Sequence, residues 1–302
     1  MKASIYESLT LDYESVSEKI EDFIRSSVQS FRKEGAIVGL SGGLDSSVTV
    51  ALSVRALGPD KVFGLLMPDR DSEPQNMKDA EQLAKKLKIK YETFDLTPIL
   101  RKIGVYDSLT DEIVKDKKLL MERLAETFRS ATFEAKPKYL PIIDFKAGTR
   151  AYCFVLPKVR LRSVILFHQG CLRKLLVVGT STKTEWLVSN YDEHGDGAAE
   201  IAPIKNLYKT QVKQFGEYLG VPKNITEKPS SPDMILGTIA TAETIIGIKY
   251  ETLDPILYCL EKGMRSDEIA RELDVDEDTV KRVENTVEAA ELRRGMPYPA
   301  PI

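Results

Sequence analysis

The chain has 302 residues, of which 42% are hydrophobic and 29% are charged. These proportions are typical of a globular protein and exclude a collagen-like or disordered chain. The formal net charge of -3 gives no general electrostatic reason to bind nucleic acid or an anionic membrane. We therefore expect neither of these partners.

The sequence contains no basic start followed by an apolar core, and no apolar run long enough to span a bilayer. This pattern predicts a cytoplasmic protein. The cysteines, Cys153, Cys171 and Cys259, are too widely spaced to indicate a disulfide framework or a zinc knuckle. We expect them to be ordinary residues in or near the core.

Short apolar runs alternate with amphipathic stretches along the chain. Apolar residues at steps of three and four predict a helix over 13–33. Buried strands are predicted at 35–40, 61–68, 90–96 and 174–180, and further helices at 47–57, 76–87, 159–170, 182–191 and 207–220. This alternation predicts an α/β fold with a doubly wound, Rossmann-like parallel sheet and helices on both faces.

Two segments depart from the alternation. Residues 101–157 mix helical patterning with prolines and aromatic residues, and we expect an insertion or lid there. Three helices are predicted over 252–292 as a C-terminal helical segment. The length allows one large domain or one domain with an appendage, and residues 1–302 are predicted to form a single domain.

The strongest local signal is Gly39-Leu40-Ser41-Gly42-Gly43-Leu44-Asp45-Ser46-Ser47, between a predicted strand and a predicted helix. Glycines let backbone amides approach an anion, and serine hydroxyls at a helix start add donors, so this loop can hold a phosphate chain. Asp45 would repel phosphate unless Mg²⁺ lay between them. The loop lacks the lysine of a Walker A motif, which disfavours kinase or GTPase chemistry. The alternative is a turn in which Asp45 or Ser46 caps the helix.

The loop resembles that of the pyrophosphatase-loop ATP enzymes, which cleave ATP to AMP and pyrophosphate. A second constellation, Gly179-Thr180-Ser181-Thr182-Lys183-Thr184-Glu185, follows another predicted strand. Its Glu185 could supply a second carboxylate to the same Mg²⁺. Lys209 near a helix start is unfavourable for the helix dipole, which predicts an anionic partner such as an ATP phosphate.

The segments GTSTKTE, HGDGAAEIAPI, LYKTQV and EKPSSPD follow SGGLDSS in an order that resembles the ammonia-dependent NAD synthetase family. The resemblance covers roughly residues 15–100 and 157–296. It implies a ligase that converts deamido-NAD (nicotinic acid adenine dinucleotide) and ammonia to NAD. ATP would be cleaved to AMP and pyrophosphate through an acyl adenylate.

The resemblance also implies roles for individual residues. Binding of ATP is expected from Gly39, Leu40, Ser41, Gly42, Gly43, Leu44, Asp45, Ser46, Ser47, Met67, Thr180, Lys209 and Ser231. Mg²⁺ is expected on Asp45 and Glu185, and catalytic roles are expected for Asp45, Ser46 and Lys209. Deamido-NAD is expected at Arg160, Glu193 and Glu200.

The substrate side departs from the family pattern at several positions. The family commonly has Lys where this chain has Glu193 and Asp where it has Glu200. Glu291 and Leu292 stand in place of a His-Lys pair. These changes leave open a paralogue that amidates a different carboxylate by the same adenylation chemistry.

The implied chemistry depends on positioning and charge neutralisation, so no catalytic triad is needed. We expect His168 and His194 to be non-catalytic. Glutamine-dependent members carry an extra hydrolase domain for which this chain has no spare segment, so free ammonia or a separate glutaminase is expected. The family also implies a homodimer.

Two other classes of function are less well supported by the sequence. A tRNA-modifying pyrophosphatase-loop enzyme would need reactive or metal-binding cysteines and a basic face. Residues 266–280 resemble a DNA-binding helix-turn-helix, but Asp274, Asp276, Glu277 and Asp278 would face the phosphates of DNA. A packing role is therefore expected for this segment.

Overall fold

A computed structural model describes residues 2–107, 149–229, 243 and 247–294. One parallel sheet has the strand order β3-β2-β1-β4. Its strands are β1 (Gly35–Gly39), β2 (Val62–Leu66), β3 (Lys90–Thr93) and β4 (Leu175–Val178). Ala36 of β1 pairs with Val62 of β2 on one side and with Leu176 of β4 on the other. The predicted parallel α/β sheet is confirmed.

The described helices surround this sheet. They are α1 (Lys2–Leu9), α2 (Tyr13–Ser30), α3 (Leu44–Leu57), α4 (Pro74–Lys86), α5 (Thr97–Lys102), α6 (Thr149–Leu172), α7 (Lys183–Leu187), α8 (Lys209–Tyr218), α9 (Lys223–Thr226), α10 (Tyr250–Glu261), α11 (Ser266–Leu273) and α12 (Glu277–Arg294). None of these has the combination of length and apolarity needed to cross a membrane.

Two predicted helix boundaries were wrong. The helix expected over 182–191 is only the short α7, and Ser189 then adopts a left-handed φ of 53° that turns the chain into a loop. Helix α6 starts at 149 rather than 159 and runs through Pro157. Proline removes one intrahelical hydrogen bond. Burial of Phe154 before it and Ile165 after it, in one apolar cluster, offsets that loss.

Side chains of the central strands alternate between two apolar layers. Ala36 and Val38 pack in a core with residues of α2, α3, α4 and α8, whereas Ile37 packs with residues of α5 and α6. Successive residues of a strand point to opposite faces, so β1 is covered on both sides. The doubly wound arrangement predicted from the sequence is confirmed.

A second core joins the two ends of the described chain. Ile5 and Leu9 of α1 pack in it with apolar residues of α10, α11 and α12, among them Leu253, Ile269 and Val280. Residues 266–280 therefore pack against protein, as predicted. Of the cysteines, Cys259 is buried here, but Cys153 and Cys171 are exposed, so their predicted core position was wrong.

The strand order determines where a crevice opens. The chain passes from β1 to β2 and β3 on one side, then returns to place β4 on the other side of β1. Ligands of open parallel sheets bind beyond the carboxyl ends of the strands at such a reversal. The residues after β1 and β4 are those of the two loops that the sequence singled out. The predicted insertion at 101–157 lies largely outside the described residues.

Candidate functional site

A cavity of about 300 Å³ opens beyond the carboxyl ends of β1, β2 and β4. It brings together nine of the residues expected to bind ATP: Gly39, Leu40, Ser41, Gly43, Leu44, Asp45, Ser46, Met67 and Thr180. Ser47 is fully buried behind the loop, and Ser231 lies outside the described residues. The phosphate loop and the second constellation therefore share one space.

Hydroxyl groups brace the phosphate loop from within. Ser46 and Ser47 donate to the Gly43 carbonyl at 3.1 and 2.7 Å, and the two hydroxyls of Ser41 and Ser46 are 3.1 Å apart. Gly43 is the N-cap of α3, and no side chain caps the helix there. The alternative that Asp45 or Ser46 caps this helix was therefore wrong. The amide end of α3 stays uncapped beside the cavity, as a phosphate site requires.

Gly42 holds the loop in a conformation that other residues rarely adopt. Its φ is +75°, and a Cβ added to it would overlap the backbone carbonyl of Asn76 at the start of α4. Both the backbone angle and the close approach to α4 therefore require glycine.

The Lys209 ammonium lies between two carboxylates from different segments. It donates to Asp45 of the phosphate loop and, at 3.2 Å, to Glu185 of α7. Only 5% of the Lys209 side chain is exposed. The anionic partner that the sequence predicted for Lys209 is this pair of carboxylates, and its contact with an ATP phosphate stays a prediction.

Burial and the attraction between Asp45 and Lys209 act in opposite directions on the pKa values of these two groups. Burial raises the pKa of Asp45 to about 6 and Glu185 adds to this, although Lys209 opposes both. For Lys209, burial alone would lower the pKa, but Asp45 and Glu185 outweigh it and hold the pKa well above its ordinary value. Lys209 therefore stays protonated and neutralises part of the negative charge.

Glu185 is fixed from a second side. One of its oxygens accepts hydrogen bonds from the backbone amide and the hydroxyl of Thr182, both at 2.9 Å. Thr182 is the N-cap of α7, and together the two residues form a capping box. The carboxylate is thereby aligned toward Lys209 by its own helix.

The carboxylates fit the magnesium ion implied by the family. Asp45 Oδ1 is buried and has no hydrogen-bond partner in the described chain, although its other oxygen meets Lys209. Mg²⁺ commonly binds one or two carboxylates together with substrate phosphates and water. Within the described ranges no cluster of three or more His, Cys, Asp or Glu forms a complete protein cage. Asp45 and Glu185 therefore suit a metal shared with a nucleotide.

The residues expected on the substrate side do not line the cavity. Arg160 forms a bidentate ion pair with Asp192 at 3.0 and 2.8 Å. Glu200 accepts from the Val177 amide at 2.7 Å and pairs with Lys33 at 3.2 Å. The substrate-binding roles of Arg160, Glu193 and Glu200 stay predictions.

Arg162 reaches the cavity instead of Arg160. Its guanidinium donates to the Met67 carbonyl at 3.1 Å and to Asp69 at 2.9 Å, beside the buried Lys158. Residues two apart on a helix point about 200° apart, so only one arginine of the segment KVRLR can face the cavity. Sequence reasoning chose Arg160, and only the packing of α6 distinguishes the two.

Lys228 and Asp196 are two further lining residues without an assigned role in the sequence analysis. Lys228 donates to the Gly42 carbonyl at 3.2 Å, to Asn76 at 2.7 Å and to Asp79. It therefore ties the phosphate loop to α4. Both residues lie in segments that the sequence singled out, EKPSSPD and HGDG. The partners of Lys228 are far away in sequence, whereas Asp196 accepts from the Asp192 amide four residues earlier.

A family model described as NAD synthase matches residues 16–134 and 153–297. The chain belongs to this family. It is 38% identical to the NH(3)-dependent NAD(+) synthetase of Methanocaldococcus jannaschii, over 94% of this chain and 95% of that protein.

Solved structures support the same fold. An NMN synthetase from Francisella tularensis matches with a TM-score of 0.71 and 24% identity, over 97% of this chain and all of that one. An NH3-dependent NAD synthetase from Campylobacter jejuni, in complex with the nitrate ion, matches with a TM-score of 0.68, 24% identity and the same coverage. The NAD synthase family assignment and the fold therefore agree.

Substitution of Gly42 tests whether the phosphate loop depends on its contact with α4. We expect Gly42→Ala to weaken binding of a non-hydrolysable ATP analogue at least tenfold, because the new Cβ displaces the loop. Gly263→Ala is the matched control, since Gly263 has nearly the same φ of +74° but open space around it. Calorimetric titration of both variants measures the difference. Equal affinities would contradict the required close approach.

Substitution of Lys228 tests the tether between the loop and α4. Since Asp79 is buried and Lys228 is partly exposed, we expect Lys228→Met to lower the free energy of unfolding by about 2 kcal/mol. We also expect about tenfold weaker binding of the ATP analogue, from loss of the bond to Gly42. Lys85→Met, which breaks an exposed pair on α4, is the control. A Lys228→Met protein with unchanged stability and affinity would refute the tether.

The tether also has a pH dependence. Burial raises the pKa of Asp79, but hydrogen bonds from Lys228 and Gln75 outweigh it and leave the pKa lowered. A lowered pKa stabilises the fold above the ordinary value of about 3.9, and this contribution is lost as the pH falls through the lowered value. The difference in unfolding free energy between the wild type and Lys228→Met should therefore shrink below about pH 4.

Proposed function

We propose that this chain converts deamido-NAD and ammonia to NAD, with cleavage of ATP to AMP and pyrophosphate through an acyl adenylate. Membership of the NAD synthase family supports the reaction class. Full-length similarity to NH(3)-dependent NAD(+) synthetases supports ammonia as the nitrogen donor. Ammonia would be free or supplied by a separate glutaminase.

One observation carries the proposal: the uncapped phosphate loop and Thr180 line a single cavity, and Asp45 of that loop is joined through Lys209 to Glu185. A triphosphate in this cavity would lie against backbone amides at the start of α3. The second loop, which contains Thr180, would close the other side. Met67, at the end of β2, would lie beside the adenine.

The charged groups of the site determine how ATP would be bound and activated. Asp45 and Glu185 would hold Mg²⁺, which when bound supplies positive charge to the phosphates. Lys209 keeps the two carboxylates at a fixed separation and stays protonated next to the departing pyrophosphate. The loop, including Ser46, holds that pyrophosphate through hydrogen bonds that are already aligned before reaction.

The reaction of the acid substrate depends on how the reacting groups are oriented. The substrate carboxylate is itself the nucleophile, and it attacks the α-phosphorus to form the acyl adenylate while pyrophosphate leaves. Ammonia then attacks the acyl carbon and AMP departs. The protein needs to align these groups and exclude water, and no side-chain nucleophile is required.

The second candidate function is amidation of a different carboxylic acid by the same adenylation chemistry. The charge reversal at Glu193 and the residues Glu291 and Leu292 depart from the family on the substrate side. Similarity to a protein named NMN synthetase suggests which acid to try, namely the mononucleotide that lacks the adenylate half.

We also propose that the chain forms a homodimer. Exposed apolar side chains on α6 include Val164 and Phe167, which lie three residues apart on one face of the helix. Such side chains are commonly covered at subunit contacts. We expect a dimer by sedimentation of the wild type and a monomer for Val164→Lys. A wild-type monomer at micromolar concentration would exclude the dimer.

The reaction can be tested by product analysis. Purified protein with ATP, Mg²⁺ and ammonium should release AMP and pyrophosphate in equal amounts, and NAD only when deamido-NAD is present. Parallel reactions with the mononucleotide acid and with no acid distinguish the second candidate. Release of ADP would rule out the proposed chemistry. AMP formation with the mononucleotide acid but not with deamido-NAD would show that the mononucleotide is the acceptor.

Asp45→Asn tests the role of the loop carboxylate. We expect kcat to fall by roughly 10²- to 10³-fold, as when a charge-stabilising group is removed from an active site. Asp60→Asn, at an exposed position, is the control and should leave kcat unchanged. Full activity of Asp45→Asn would exclude a metal or charge role for this residue.

A further inference from the structure

We propose that Asp254, on α10 of the C-terminal segment, is a positioning residue for this reaction. Its carboxylate joins the starts of α7 and α8, and so sets the distance between Glu185 and Lys209. This inference rests on the proposed function and extends it to a helix that contributes no lining residue to the cavity in the described chain.

One buried carboxylate accepts hydrogen bonds from two helices. Asp254 Oδ1 accepts from the Thr184 hydroxyl at 2.6 Å. Its Oδ2 accepts from the Thr210 amide at 2.8 Å and from the Thr210 hydroxyl at 2.7 Å. Asp254 is completely buried, so water does not compete for these bonds. Three bonds to one rigid group fix the two helix starts relative to each other.

Each threonine is adjacent in sequence to a side chain of the ion group. Thr184 precedes Glu185, and Thr210 follows Lys209. The Thr184 hydroxyl also accepts from the Lys209 backbone amide at 2.9 Å. The Thr184 hydroxyl therefore donates to Asp254 and at the same time accepts from the Lys209 amide at the start of α8. A displacement of Asp254 would be transmitted to both Glu185 and Lys209.

The start of α8 needs this external carboxylate. Tyr208 is the N-cap and has no side-chain hydrogen bond to the first helical amides, and Lys209 adds a positive charge where the helix dipole is already positive. Asp254 supplies both the missing acceptor for the Thr210 amide and a compensating negative charge. This arrangement allows a lysine at the first position of α8.

A role in packing alone does not account for a charged group here. Asp254 lies between Leu253 and Pro255 on α10, whose other buried side chains belong to an apolar core. Burying a carboxylate is costly unless it is hydrogen-bonded, and an apolar residue of similar volume would pack at a lower cost. All of its bonds are directed at the two helix starts that carry Glu185 and Lys209.

Asp254→Asn is the sharpest variant, because it retains the shape of the side chain. An amide offers one acceptor oxygen and an NH₂ donor, so it cannot accept all three hydrogen bonds. We expect kcat to fall on the order of 10- to 100-fold, as for a displacement of reacting groups by a fraction of an ångström to 1 Å. The assay temperature is kept well below the melting temperature of every variant.

Two further variants separate positioning from stability. Ile269→Ala removes a buried side chain from the same core on α11, which packs against α10 and α12, and should lower stability while kcat is retained. Thr184→Val, an isosteric change that removes the linking hydroxyl, should lower kcat like Asp254→Asn. Because Thr184 and Asp254 are hydrogen-bonded to each other and act on the same two helix starts, the double variant should lose little more than the more severe single variant.

Hydrogen exchange provides a readout that does not depend on activity. In Asp254→Asn, we expect faster exchange confined to the starts of α7 and α8, whereas Ile269→Ala should raise exchange across α10, α11 and α12. Wild-type kcat in Asp254→Asn or in Thr184→Val overturns the inference, and so does unchanged exchange at α7 and α8. If Asp254→Asn does not fold, Thr184→Val decides. If the wild type itself releases no AMP, the proposed function fails, and the exchange data still test the positioning role.

Discussion

The pairing of one lysine with two carboxylates is the interaction on which the candidate site depends. Lys209 joins the loop after β1 to the helix after β4, and each segment contributes one negative charge. Without that ammonium, two partly buried carboxylates would repel each other at a cost that Mg²⁺ alone would have to offset. The free protein therefore carries its own counter-charge where a metal and a triphosphate are expected, which keeps the site assembled before either arrives.

Parallel strand order explains why these segments meet. Since β1 and β4 are neighbours although about 135 residues of chain separate them, both of their loops open at the same edge of the sheet. Strand runs and glycine-rich turns are local patterns, so the sequence predicted every described strand and both loops. Resemblance to a family then indicated which loop residues to expect around a nucleotide, and nine of those residues do line one cavity.

Where sequence reasoning failed, the deciding contact was not local. Helix α7 ends early, and Ser189 just after it has a left-handed φ. Helix α6 passes through Pro157 because residues before and after that proline pack on the sheet. On α6 the side that faces the cavity carries Arg162, whereas Arg160 pairs with Asp192 and its substrate-binding role stays a prediction. Periodicity identifies a helix, but it does not specify which partners its polar residues will have.

The C-terminal helices connect the second core to the candidate site. Residues 266–280 resemble a helix-turn-helix, and the packing role expected for them is confirmed in the second core. That core holds α10 in place, and α10 carries the carboxylate that joins α7 to α8. Asp254, although it does not line the cavity, thus bears on the spacing of Glu185 and Lys209 through its hydrogen bonds. Asp254 thus adds a negative charge, beyond those of Asp45 and Glu185, at a helix start that carries a lysine.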